Sequence, residues 1–260
     1  MDASVVTAAS ERWVWIPEDA PRIETPEFLL VQYPSTFEAP FQIQLVASDA
    51  DPISVVNAMC DAARSKGARD LVIWSKLSAP AGLSAELQRR GAELAETVSV
   101  LALDLSKPLS PLSDSDVSIE QVVTGDGLTA HVKLHNELFG STDVAPTGAA
   151  RDRECAERAE HWRRGEGGDL IAYRGTVPVG IAGLTMSGTD ARLWGAAVDS
   201  AFRGQGIYRA LLEKRLQFAR EKGARLAIVK GRVATSAPIL LRVGFEKFGE
   251  ENAYRLTVSS

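Results

Sequence analysis

The residue types that could do chemistry are concentrated in one segment, Val198 to Leu212, with the sequence V-D-S-A-F-R-G-Q-G-I-Y-R-A-L-L. It joins the end of an apolar strand to the start of a helix through Arg203-Gly204-Gln205-Gly206, and it has no acidic side chain after Asp199. Glycines let a backbone approach a ligand closely, and a helix N-terminus adds unpaired N–H donors and the positive end of the helix dipole. The segment therefore predicts a phosphate-binding turn for a phosphorylated cofactor.

The spacing of the glycines excludes two common phosphate-binding motifs. A dinucleotide-binding fingerprint needs a third glycine or alanine where Arg209 stands, and a Walker loop needs Gly-Lys-Ser/Thr, which is absent. The remaining pattern, R-x-x-G-x-(G/A) before an apolar helix, resembles the pyrophosphate loop of the GCN5-related N-acetyltransferases, the GNAT superfamily. The match covers Arg203, Gly204 and Gly206, whereas Tyr208 stands where the family usually has glycine or alanine.

Apolar patterns predict the elements on both sides of the loop. Two apolar segments before it, residues 170–173 and 179–184, flank a turn and predict a β-hairpin, and residues 191–198 predict the strand that enters the loop. The residues at helical spacing after the loop are Tyr208, Leu212, Leu216 and Ala219, followed by Gly223 as the helix end. The last predicted elements are a strand at 225–230, a helix at 236–243, the pair Gly244-Phe245 and a strand through 254–258. This order is similar to the GNAT fold over residues 115–260.

The resemblance implies acetyl-CoA as the cofactor and direct attack of an amine on its thioester. The strand Trp194 to Val198 would stabilise the oxyanion with a backbone N–H, and its carbonyls would pair with the pantetheine arm. The cofactor-binding residues carried over from the resemblance are Ala196, Ala197, Val198, Arg203, Gly204, Gln205, Gly206, Ile207, Tyr208, Arg209 and Ser236.

The side-chain roles are less determined, because the positions where many family members have an acid tyrosine and an asparagine hold Leu240 and Val233. Tyr208 is the predicted substitute for the catalytic acid. The other residues keep two interpretations each. Glu120 and Asp190 are bases or solvent-facing carboxylates, Trp194 is a wall of the acyl site or a core residue, and Tyr254 is expected to pack. His131 and His135 lie four residues apart on a helix that lines the acceptor pocket or is structural, and no third ligand nearby supports a metal site.

A second part of the chain resembles the loop region in its surroundings. The segment Ala63 to Arg69 (A-R-S-K-G-A-R) repeats at Ala219 to Arg225 (A-R-E-K-G-A-R), with six of seven positions identical. A strand, a helix and a glycine follow each copy, which indicates an internal repeat, with coincidence as the alternative. At the same offset Arg203–Ile207 corresponds to Ala47–Asp51, which has no glycine. There Asp51-Pro52 predicts an N-cap and an N1 proline, and its carboxylate would repel a pyrophosphate.

These observations predict an α/β fold with two GNAT-like halves, each a mixed central β-sheet flanked by helices. Residues 1–105 would be a degenerate domain without a cofactor loop, residues 106–114 a linker, and residues 115–260 the acetyltransferase domain. Residues 140–169 would shape the acceptor site.

Composition agrees with a globular enzyme, since 45% of the 260 residues are hydrophobic and 24% are charged. No apolar run has membrane length and the N-terminus does not resemble a signal peptide, so a cytoplasmic location is the expectation. Cys60 and Cys155 have no companions at metal spacing and are expected to be buried thiols. The net charge of −5 disfavours nucleic acid as a partner, whereas nine Lys and Arg against two Glu between Arg203 and Arg232 suit a phosphorylated cofactor.

The function predicted from the sequence is an acetyl-CoA-dependent N-acetyltransferase without a metal, acting on a primary amine. The expected acceptor is a small molecule rather than a protein. Two alternatives stay open: a non-catalytic acyl-CoA-binding protein, favoured by the missing tyrosine and asparagine, and an acidic two-lobed interaction module without a cofactor.

Overall fold

The computed structural model describes residues 1–35, 37, 39–108, 111–112 and 115–258. They form two compact units: unit 1 contains residues 1–101 and 230–260, and unit 2 contains residues 102–229. Four positions of the predicted linker, 109, 110, 113 and 114, lie outside the described residues. None of the helices in these described ranges is long and apolar enough to cross a membrane.

Most of unit 1 is built before residue 105. Its elements are α1 (Ala3–Glu11), β1 (Arg22–Glu24), β2 (Phe28–Gln32), β3 (Phe41–Val46), α2 (Pro52–Ser65), β4 (Asp70–Ser75), α3 (Leu83–Arg89) and β5 (Glu93–Asp104), of which β5 ends in unit 2. Strand β2 pairs antiparallel with β1 and β3, and β3 pairs parallel with β4. The sheet is therefore mixed, and α2 contributes Val55, Val56 and Met59 to the core beneath it.

Unit 2 holds the elements predicted around the loop. They are β6 (Ser118–Gln121), α4 (Gly125–Phe139), α5 (Gly148–Arg164), β7 (Gly167–Arg174), β8 (Val177–Ser187), β9 (Asp190–Val198), a 3₁₀ turn (Ser200–Phe202), α6 (Ile207–Glu221) and β10 (Leu226–Arg232), of which β10 ends in unit 1. Strands β6 to β9 pair antiparallel in order, and β9 pairs parallel with β10. This mixed sheet flanked by helices confirms the predicted fold class.

The two faces of the unit 2 sheet carry different helices. Ile181 of β8 belongs to a buried cluster with Leu128 and Leu134 of α4. Its neighbour Gly180 points the other way, since a Cβ there would lie 3.2 Å from Leu211 of α6. Because side chains alternate along a strand, α4 and α6 lie on opposite faces of the sheet.

The end of the chain returns to unit 1 through α7 (Ser236–Val243) and β11 (Glu246–Thr257). Strand β11 pairs antiparallel with β4, and Tyr254 and Leu256 lie in the core with α2. The structure thus divides the predicted domain of residues 115–260 at residue 230, because the apolar face of β11 is buried in unit 1. A cut after residue 105 would remove the strand with which β11 pairs.

The repeated sequence adopts the same structure in both copies. Gly67 and Gly223 follow α2 and α6 with positive φ angles of 75° and 83°. The next amide in each copy, that of Ala68 or Ala224, donates to the carbonyl five residues earlier, at 3.0 Å and 2.9 Å. The helices therefore end in the same left-handed turn before the strand that follows.

Candidate active site

Helix α6 begins without a side-chain cap. Its N-cap is Gly206, with φ 79° and ψ −5°, and no acidic residue stands in the first turn. The equivalent helix α2 has the predicted cap, because the Asp51 carboxylate accepts a hydrogen bond from the Ser54 amide at 2.9 Å and Pro52 follows. That bond holds the pKa of Asp51 below its ordinary value. One helix N-terminus thus carries a fixed carboxylate, whereas the other has no side-chain cap.

The loop before α6 is tied to two strands. Arg203 donates from Nε to the Val198 carbonyl at 3.3 Å, which holds the start of the loop against the end of β9. Gln205 accepts a hydrogen bond from Nη1 of Arg174, the last residue of β7. Arg174 is exposed and adds a guanidinium beside the loop. Its place beside the loop could not be predicted from the sequence, because Arg174 lies 31 residues before Gln205 and no local pattern marks it.

Strand β9 parts from β10 where the cofactor arm is predicted to bind. The parallel pairing runs from Asp190–Leu226 to Leu193–Val229 and ends there. Directly afterwards the register against β8 shifts by one residue, and Gly195 has a φ of 59°, which indicates a β-bulge. Ala196 and Ala197 are half-buried beyond the bulge. Backbone groups on this edge of β9 therefore have no ladder partner in β10.

Tyr208 lies in the first turn of α6, two turns before Arg215 on the same face of the helix, and its phenol faces the Arg215 guanidinium. Burial raises the pKa of the Tyr208 phenol above its ordinary value. Arg215 is 2% exposed and donates to the carbonyls of Leu211 and Gly183, and its burial lowers its pKa to about 10. The Tyr208 hydroxyl thus lies near a buried guanidinium inside unit 2, and its role as an acid stays a prediction.

We expect Tyr208→Phe to lower the free energy of unfolding by about 1–3 kcal/mol, because the buried guanidinium of Arg215 loses a polar neighbour. Denaturant titration measures that loss. If the hydroxyl is also the catalytic acid, kcat should fall about ten- to a hundredfold at a temperature where the variant is folded. A destabilised variant with the parent's kcat would contradict the role of Tyr208 as an acid.

The remaining predicted site residues are dispersed. Glu120 is exposed on the edge strand β6, and Asp190 is buried at the first residue of β9, the end of that strand opposite the loop. Ser236 is the first residue of α7 in unit 1, so its contact with a cofactor stays a prediction. Leu240 is fully buried and Val233 is exposed, and neither is a polar group.

The two histidines of α4 have different surroundings. His131 is 8% exposed, and its Nε2 lies 3.4 Å from Oδ1 of Asp169, whose Oδ2 accepts from Nη1 of Arg158 at 2.5 Å. Burial raises the pKa of Asp169, but His131 and Arg158 outweigh it and hold that pKa below its ordinary value. His135 instead contacts Ser141 through Nδ1 at 2.9 Å in the segment after α4. These contacts favour a structural face at His131.

Comparison with known proteins supports the resemblance. Residues 133–245, which include the glycine loop and α6, match the model of the acetyltransferase (GNAT) family. No curated protein sequence matches the chain.

Solved structures resemble the chain over nearly its whole length at low sequence identity. A GCN5-related N-acetyltransferase from Kribbella flavida has 14% identity and a TM-score of 0.65, covering 97% of this chain and 94% of that one. A tandem GNAT protein from the clavulanic acid biosynthesis pathway has 18% identity and a TM-score of 0.59, covering 98% of this chain and 88% of that one. The likeness shows a tandem GNAT fold, as the internal repeat predicts.

Proposed function

We propose that the protein is an acetyl-CoA-dependent N-acetyltransferase that transfers an acetyl group to a primary amine of a small molecule. The observation that carries this proposal is that the edge of β9 and the glycine loop before α6 are continuous in unit 2. The open edge of β9 beyond Leu193 leads directly into a glycine loop and a helix N-terminus without a side-chain cap. The match of residues 133–245 to the acetyltransferase (GNAT) family model supports the same activity.

The residues present fit the cofactor's charge and shape. The amides at the start of α6 and the guanidinium groups of Arg203 and Arg174 would hold the pyrophosphate, and Gly204 and Gly206 keep Cβ atoms away from it. Acetyl-CoA, when bound, supplies a thioester whose carbonyl carbon the amine attacks, so that an amide forms and the thiol of CoA leaves. The backbone N–H groups of β9 beyond Leu193 would donate to the carbonyl oxygen as it gains negative charge.

A thiol-release assay with a panel of primary amines tests the proposal. Amine-dependent release of CoA above background is expected, with a rate that rises with pH as the amine loses its proton. The apolar residues Leu240 and Val233 instead favour a non-catalytic acyl-CoA-binding protein. That alternative requires calorimetric binding without release, whereas an interaction module without a cofactor requires no binding at all.

We expect one molecule of CoA to bind per chain, although the fold is tandem. In unit 1 the Asp51 carboxylate already caps α2, and Val14 and Ile16 pack in one cluster with Leu45 of β3. The N-terminal segment is held there as Lys76 donates to the carbonyls of Glu11 and Trp13, each at 3.4 Å. Calorimetric titration should saturate near a ratio of one. Two sites of comparable affinity would contradict this division between the halves.

Arg174→Gln should weaken CoA binding about three- to tenfold, or about 0.7–1.4 kcal/mol, because a positive charge beside the loop is removed. Glutamine keeps a donor for Gln205, so the loop conformation is preserved. The effect should shrink at high salt, as expected for an exposed charge. Arg220→Gln is the matched control, since Arg220 is exposed in the last turn of α6. Equal affinities of the two variants would show that Arg174 does not contact the cofactor.

A further inference from the structure

The side chain of Trp194 lies flat across Gly183, its partner on β8. A Cβ atom at Gly183 would stand 2.3–2.4 Å from three atoms of the six-membered ring, so only glycine permits this position of the indole. Trp194 nevertheless keeps 36% of its surface exposed. One side of the ring is therefore covered by the sheet while carbon surface remains open to solvent.

A hydrogen bond also fixes the orientation of the indole over the sheet. Its Nε1 donates to Oγ1 of Thr185 at 2.9 Å, so the only polar atom of the side chain is already bonded. Trp194 therefore exposes the π surface of a ring whose orientation is fixed. Little side-chain conformational entropy remains to be lost when a ligand binds. The exposure of Trp194 excludes the interpretation as a core residue. We call its exposed ring over Gly183 the platform.

The platform lies on the face of the sheet opposite α6. Gly183 shares its face with Ile181, two residues earlier, and Ile181 packs against α4. Trp194 is also the first residue after the last pair of β9 with β10, four residues or about 13 Å along the strand from Val198. A cofactor held at the start of α6 and along β9 would thus end beside Trp194, whose ring lies on the face of the sheet that carries α4.

Charged and uncharged groups surround the ring on this face. Arg192 and Asp190 lie two and four residues before Trp194 and hence on the same face of β9. Thr185, the strand partner of Arg192, and Gly183 beneath the ring are uncharged. A neutral aromatic ring would stack on the indole without relying on either charge.

We propose that Trp194 selects acceptors whose primary amine is carried on a flat aromatic body, which stacks on the indole while the amine reaches the thioester. This inference rests on the proposed function and adds its substrate class. Gly183 and Thr185 act as positioning residues, because they set the plane of the ring.

The test compares phenethylamine with 2-cyclohexylethylamine, which share the amine and differ in the flatness of the ring. Wild type should have a kcat/KM at least tenfold higher for phenethylamine. Trp194→Leu should reduce this preference to about threefold or less, mainly through KM, and Trp194→Phe should restore part of it. Trp15→Leu is the matched control, because Trp15 is an exposed tryptophan of unit 1 and its loss should leave the preference unchanged.

Equal turnover of the two amines by wild type, or a preference that survives Trp194→Leu, would overturn the inference while the acetyltransferase activity stands. A binding measurement covers the case in which no amine is turned over and the proposed function itself fails. Phenethylamine should then quench tryptophan fluorescence in wild type more than in Trp194→Phe, and identical quenching would overturn the inference. Gly183→Ala provides a second variant, because its Cβ displaces the ring and should reduce the aromatic preference as Trp194→Leu does.

Discussion

Replacing Gly206 with aspartate should weaken acetyl-CoA binding at least tenfold, which is about 1.4 kcal/mol. Gly206 has a φ of 79°, a conformation that side chains other than glycine and asparagine rarely adopt. The new carboxylate would also stand at the N-terminus of α6, where the phosphates are proposed to bind. Asp51 illustrates the effect in unit 1, because its carboxylate accepts the hydrogen bond of the Ser54 amide at the start of α2. That amide is then not available to a phosphate.

Gly206→Asn separates the charge from the strain. Asparagine has the same size as aspartate and tolerates positive φ, but it does not repel a phosphate. Calorimetry should therefore find an affinity for Gly206→Asn between those of the parent and Gly206→Asp. An aspartate variant that binds within twofold of the parent would show that the cofactor's phosphates are held elsewhere.

Lys230→Met should lower the free energy of unfolding by about 3–5 kcal/mol, the cost of leaving a buried carboxylate without its cation. Glu251 of β11 is 0% exposed, and its Oε2 lies 2.7 Å from Nζ of Lys230. Its Oε1 accepts from Oγ of Ser10 at 2.6 Å, which connects α1 to this pair. The Lys230 ammonium also lies 5.7 Å from the ring centre of Trp13, so the N-terminal segment packs around the same charge.

A double variant shows whether the loss arises from the ion pair. Lys230→Met with Glu251→Leu removes both charges and should recover most of the stability, because no unpaired ion is left buried. Lys247→Met is the matched surface control. It breaks the exposed pair of Lys247 with Glu250 at 2.6 Å and should cost less than about 1 kcal/mol. Urea denaturation that finds the two single variants equally stable would contradict a structural role for the buried pair.

The helix starts and ends could be predicted from the sequence, because the interactions that set them join residues only a few positions apart. Asp51-Pro52 begins α2 through a bond to an amide three residues later, and Gly223 and Gly244 end helices because they take positive φ without strain. The bounds of α7, residues 236–243, follow from the same kind of signal. The order of elements and the glycine loop before α6 were enough to indicate the GNAT fold.

The tertiary structure decided what depends on distant pairing. Strand β11 has an apolar pattern that any core would bury, and only its register with β4 assigns it to unit 1. Arg174 reaches Gln205 because a two-residue turn brings the end of β7 beside the loop. The platform at Trp194 needs a glycine on the neighbouring strand, and no spacing within β9 encodes which residue of β8 lies opposite. Sequence therefore determined the local turns and caps, whereas cross-strand register placed the side chains that face the ligands, because pairing joins residues whose separation along the chain carries no local signal.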